Sequence, residues 1–145
     1  MRSLNHPPPH FAFSNRFEVF FDGACPLCVK EMRVLRWMDR RGRLQFTDIA
    51  VPEFDAGAYG LTFDAFMAEM HGRLPDGTML RGVEVFRQMY GRVGLGPVVA
   101  FTRLPGVAWV LELAYRRFAR NRLRLTGRCH AGSCDLAPPI PGTAR

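Results

Sequence analysis

Arg16-Phe17-Glu18-Val19-Phe20-Phe21-Asp22-Gly23-Ala24-Cys25-Pro26-Leu27-Cys28 is the stretch from which the rest of this 145-residue chain can be read. Phe17, Val19 and Phe21 alternate with Glu18 and Asp22, and the run is aromatic and β-branched, the pattern of a β-strand. Gly23 breaks it with a tight turn. Past the cysteines the period changes. Cys28, Met32 and Leu35 recur at helical spacing with Val34 and Met38 beside them, while Lys30, Glu31, Arg33, Arg36 and Arg40 mostly face away. A helix is expected over Leu27–Arg41, ended by Gly42.

Cys25 then falls at the helix N-cap and Pro26 at the first helical position, where a missing N–H leaves nothing unpaired. A helix start offers unpaired amide donors and the positive end of the dipole. Both favour a thiolate, and cysteines so placed have pKa values of about 3.5–7.5 against about 8.5 for the free side chain. Cys28 lies on the same face one turn deeper, where it can attack a mixed disulfide on Cys25. Asp22 either orders the turn amides or accepts a proton from Cys28. Its charge would oppose the helix effect on Cys25. A CxxC can also be purely structural or half of a metal site, and the strand–glycine–helix context favours redox chemistry.

Working outward, Arg43–Ile49 reads as a second strand, so strand, helix and strand form a right-handed parallel unit. After a loop with Pro52 and Gly57, Thr62–Met70 reads as a short helix with Thr62 as a candidate cap. Met70–Leu74, the turn Pro75-Asp76-Gly77 and Thr78–Arg81 read as a hairpin. Gly82 precedes a helix from Val83 to about Arg92. The order β-α-β-α-β-β-α is that of the thioredoxin fold: an α/β domain with a four-stranded mixed sheet flanked by helices. Beyond a segment with Gly94, Gly96 and Pro97 comes an extra C-terminal amphipathic helix. Its apolar stripe is Val107, Leu111, Ala114 and Phe118, with Arg116, Arg120 and Arg124 on another face. Trp37 and Trp109 are expected to be packing residues.

Composition bounds the rest. Hydrophobic residues are 48% of the chain and charged residues 23%, which excludes global disorder. Uncharged apolar runs end at Val93–Thr102 and Leu104–Leu111, well short of the roughly 20 residues of a membrane-spanning helix. The net charge is +7, of which Pro105–Arg128 carries +5. A solvated helix face accounts for that patch, and a peripheral contact with an anionic membrane surface fits it as well. No specific nucleic-acid partner is expected. Residues 1–16 contain Pro7, Pro8 and Pro9 and lack a signal-peptide pattern, so they read as a flexible tail and the location as cytoplasmic. Residues 17–128 form the domain, and 129–145, with Cys129 and Cys134, a second tail.

Four cysteines occur as two pairs, Cys25/Cys28 and Cys129/Cys134. A shared zinc site is disfavoured, because the pairs lie far beyond the usual 15–20 residue spacing of two zinc knuckles. Neither metal nor cofactor is expected. Cys129 and Cys134 stand as a candidate second redox pair, alongside readings as unpaired thiols or metal ligands with His130. His71 is a candidate contact from the hairpin.

Phe21-Asp22-Gly23-Ala24-Cys25-Pro26-Leu27-Cys28 followed by Glu31 resembles the DCC family of predicted thiol-disulfide oxidoreductases, named for an Asp-x-x-Cys-x-x-Cys signature. Met70-His71, Pro75-Asp76-Gly77, Gly82, Leu104-Pro105-Gly106 and Tyr115–Arg122 also look like that family. The resemblance spans about Phe17–Cys134. It implies a thioredoxin-like fold and exchange of a dithiol with a protein or low-molecular-weight disulfide, with Cys25 and Cys28 catalytic and Asp22, Gly23, Pro26 and His71 supporting. Unlike thioredoxins proper, the chain has no proline near Ala68–Met70, just before the hairpin. The alternative is a non-catalytic metal- or nucleic-acid-binding module built on the two cysteine pairs and the arginine-rich helix.

Overall fold

The computed structural model describes residues 15–125, 129–130 and 133–134. Most of the expected tail 1–16, and residues 135–145, lie outside the described residues. The opening stretch forms strand β1 (Phe17–Phe21), and the helix after it is α1 (Pro26–Met38). There follow β2 (Leu44–Asp48), a single 3-10 turn (Ala56–Tyr59), α2 (Phe63–Ala68), the hairpin β3 (His71–Arg73) and β4 (Met79–Arg81), and α3 (Val83–Arg92). The strands make one mixed sheet in the order β2-β1-β3-β4. β1 pairs in parallel with β2, from Phe17 opposite Leu44 to Phe21 opposite Asp48, and antiparallel with β3. This is the thioredoxin-like arrangement, with β1 central and the CxxC at its carboxyl end.

Both faces of β1 are covered, which makes all five of its residues buried. Phe17, Val19 and Phe21 pack with Met32 and Leu35 of α1 and Val85 and Met89 of α3. Burying side chains of this size contributes about 1.5–3 kcal/mol each. On the opposite face Phe20 meets Ile49, Phe66 and Met67, with Phe54 added from the loop after β2 and Tyr59 from the 3-10 turn. Glu18, the polar member of the β1 alternation, is therefore enclosed. Its carboxylate accepts from Thr47 Oγ1 at 2.6 Å and pairs with Arg73 at 2.8 Å. The hairpin turn carries Gly77 at φ +91°, a conformation in which a Cβ is strained.

Local differences from the sequence reading have local causes. α1 ends at Met38 instead of Arg41, because the Asp39 carboxylate accepts from the amides of Arg43 and Leu44 and turns the chain into β2. Gly42, at φ +59°, lies in that turn. The 94–97 segment is not simply a connector: Gly96–Thr102 forms helix α4, started by Pro97. The last described helix is α5 (Pro105–Leu125). Leu111, Ala114 and Phe118 of its stripe line an apolar groove against α3 and α4. Trp37 and Trp109 do not pack in the core and are 73% and 68% exposed, on the outer faces of α1 and α5. Among the described residues no single helix is long and apolar enough to cross a membrane, and α4 and α5 meet that test only together, bent by 89°. Within the 129–145 segment, β5 (Cys129–His130) and β6 (Ser133–Cys134) pair antiparallel.

Candidate active site at the start of helix α1

The turn that delivers the cysteines is tied from both sides. The Gly23 amide donates to Asp48 Oδ1 at 2.9 Å, and the Ala50 amide donates to the same oxygen at 2.8 Å. The Ala24 amide donates to Asp22 Oδ1 at 3.0 Å, and the Cys25 amide to the Asp22 carbonyl at 3.0 Å. Gly23 is required by space, since a Cβ there would land on the Asp48 carboxylate. Cys25 is the N-cap of α1 in extended backbone (φ −95°, ψ 111°), with Pro26 opening the helix.

The cap is a sulfur. The Cys28 amide donates to Cys25 Sγ at 3.3 Å, and the Cys28 thiol donates to it at 2.7 Å. Both cysteines are reduced. The Cys28 thiol hydrogen bond is the main cause that lowers the Cys25 pKa to about 6, aided by the Cys28 amide and by Arg122. Burial and the Asp22 charge act against it. The same bond, together with burial, pushes the Cys28 thiol far up. At neutral pH these opposite shifts favour a proton on Cys28 and a negative charge on Cys25.

Beside Cys28 lies a chamber of about 40 Å³. Asp22 and Glu31 line it from the β1–α1 side, Met70 from the segment before the hairpin, and Tyr115, Phe118 and Arg122 from α5. Cys25 is only 1% exposed, while Cys28 is partly exposed. Helix α5 is fastened over this chamber at two points. The Met70 amide donates to the Tyr115 hydroxyl at 2.7 Å, and Arg122 Nη2 donates to the Met67 carbonyl at 2.6 Å. Met70 belongs to the segment where thioredoxins proper carry a proline. Here a backbone donor is present, and α5 supplies its acceptor.

Of the supporting residues, Asp22, Gly23 and Pro26 are assembled around the sulfurs. His71 is buried in the second core layer, its ring against Phe66 at 5.0 Å and Nδ1 3.0 Å from the Glu69 carbonyl. Those contacts hold β3 to α2. Four contributors carry no site role in the sequence reading: Asp48, and Glu31, Tyr115 and Arg122, which enter there only as residues of the family resemblance. Glu31, expected to face outward, is largely enclosed and accepts from Tyr90 Oη at 2.9 Å. Burial raises its carboxyl pKa. Arg122 shares a face with Tyr115 and Phe118 at helical spacing, a signal that the surrounding arginines obscure.

A pair of free cysteines at a helix start, on a thioredoxin-like sheet, is an arrangement suited to dithiol–disulfide exchange. The pattern of the DCC1-like thiol-disulfide oxidoreductase family matches residues 19–128, and the chain belongs to that family. An uncharacterized chloroplastic protein of Arabidopsis thaliana is 32% identical over 115 residues, covering 78% of this chain and 54% of the relative. The chain therefore spans about half the length of the curated relative it matches. No solved structure matches it.

Proposed function

We propose that the chain exchanges its Cys25/Cys28 dithiol with a disulfide on a protein or a low-molecular-weight thiol. The observation that carries this reading is the convergence of the Cys28 amide and thiol on the Cys25 sulfur. Stabilised this way, Cys25 is mostly thiolate at neutral pH. It attacks one sulfur of the substrate disulfide, and the other leaves as a thiolate and takes a proton. Cys28 then attacks Cys25 in the mixed disulfide, freeing the second substrate thiol and closing the Cys25–Cys28 bond. Asp22, Glu31 and Glu69 line the chamber beside Cys28 and place carboxyl groups near its proton as it attacks.

The low exposure of Cys25 belongs to the same reading. α5, fastened at Tyr115 and Arg122 across the chamber beside Cys28, is the element that in this reading limits a substrate's approach to the pair. Cys28→Ser is the direct test, because a hydroxyl in place of the second thiol cannot resolve the intermediate. Incubation with a disulfide substrate is expected to leave a stable mixed disulfide on Cys25, seen by mass spectrometry and removed by dithiothreitol. Absence of any Cys25 adduct, in a variant that folds like the parent, contradicts the proposal.

A further inference from the structure

The second cysteine pair follows α5 closely in the chain. Strands β5 and β6 are antiparallel, and their register sets Cys129 directly opposite Cys134. Directly opposed residues in such a pair have Cα atoms about 4.5 or 5.5 Å apart. Both spacings lie within the about 4.4–6.8 Å that a disulfide bridges. A two-stranded hairpin of this length has almost no core of its own, so a covalent cross-strand bond would add stability that its packing cannot.

The path of the chain links this hairpin to the first pair. The face of α5 over the chamber carries Tyr115, Phe118, Ala119 and Arg122, so the helix runs along the CxxC site to within its last turn. From Arg122, three helical residues and four more reach Cys129. Even fully extended, that is on the order of 20 Å. A short tether of this kind gives an effective concentration in the millimolar range.

We infer that Cys129 and Cys134 form a second dithiol–disulfide couple that exchanges electrons with Cys25 and Cys28 within one chain. The inference rests on the proposed exchange chemistry of the first pair. The outer dithiol attacks the Cys25–Cys28 disulfide at Cys28, the sulfur that faces the chamber. An intramolecular mixed disulfide forms, and Cys25 leaves as the thiolate that the α1 start stabilises, a low-pKa leaving group being expelled faster. The second outer thiol then attacks the outer sulfur of that bond. This closes Cys129–Cys134 and releases Cys28, which takes a proton. Two electrons and two protons have moved from the outer pair to the inner one. An external dithiol reduces the outer disulfide by the same exchange.

The test uses the full chain and oxidised glutathione as the oxidant. Mass spectrometry of the oxidised monomer is expected to show both Cys25–Cys28 and Cys129–Cys134. In Cys25→Ser, whose serine is a good N-cap, Cys28 is expected to appear cross-linked to Cys129 or Cys134 inside a monomer. Cys129 and Cys134 remaining separately alkylatable while Cys25–Cys28 has closed would overturn the inference and leave the first reading standing. So would cross-links found only between chains, or one equivalent of zinc held by the outer pair. Failure of Cys25–Cys28 itself to close would overturn both.

Discussion

The hydroxyl of Tyr115 on α5 accepts the amide hydrogen of Met70, 45 residues earlier, at 2.7 Å. That bond occupies the backbone edge before β3 and keeps α5 across the chamber next to Cys28. Tyr115→Phe removes the acceptor and leaves a partly buried N–H unpaired, at a cost of about 1–3 kcal/mol. The expected outcome is a lower unfolding midpoint in urea together with faster alkylation of Cys25 at fixed pH. Destabilisation with an unchanged alkylation rate would show that α5 does not control access.

Arg122 lies against the same chamber and lowers the Cys25 pKa. Arg122→Met is expected to move the alkylation midpoint upward, and Arg122→Lys to hold it closer to the parent. Both lose the bond geometry to the Met67 carbonyl, so comparing the two separates charge from packing. Equal midpoints in both variants would remove Arg122 from the electrostatics of the site.

The turn before α1 depends on one carboxylate serving two amides. Gly23→Ala pushes a Cβ into Asp48, and Asp48→Ala strips the acceptor from Gly23 and Ala50. Each is expected to destabilise the fold by about 1–3 kcal/mol for each donor left unpaired. Each also displaces Cys25 from the cap. Thermal unfolding together with the Cys25 alkylation midpoint checks both consequences.

Deep in the sheet, Glu18 is 3% exposed and paired with Arg73. Arg73→Met leaves a buried carboxylate without its cation, which typically costs about 3–5 kcal/mol. Chemical denaturation measures this loss. Because the pair lies away from the sulfurs, the Cys25 midpoint of the folded variant is expected to match the parent.

The folding equilibrium of the reduced protein carries the same signature of the thiolate. The folded pKa of Cys25, about 6, lies below the 9.0 of an unperturbed cysteine. A depressed value means that the folded state releases the proton first. The stabilisation is complete above the unfolded value and is lost as pH falls through the folded one, so stability from this group rises between about pH 6 and pH 9. Cys28, shifted upward, acts in the opposite sense above pH 9. Urea midpoints of reduced parent and Cys25→Ser across this window isolate the contribution of Cys25.

The strand, glycine and capped helix around the CxxC are legible in the sequence because each depends on near neighbours. Alternation, a turn glycine and a proline at the first helical position act within a few residues. The hairpin is legible for the same reason, through Pro75-Asp76-Gly77. Features that depend on distant partners are not. Glu18 has the pattern of a solvent-facing strand residue, but α2 and the Tyr59 segment cover that face and Arg73 meets its charge. Glu31 and Arg122 have the pattern of surface charges, but α1, α3 and α5 close around the chamber. Trp37 and Trp109 suggest core by residue type alone, yet both side chains stand mostly in solvent.

Exchange through this pair requires Cys25 to be a thiolate at neutral pH, and alkylation by iodoacetamide across pH 4–10, read at Cys25 by mass spectrometry, measures this most directly. The expected midpoint is near pH 6, the folded pKa of Cys25, with Cys28 unreactive in the same window. A midpoint near 8.5–9, about that of an ordinary thiol, would contradict the exchange chemistry assigned to the pair.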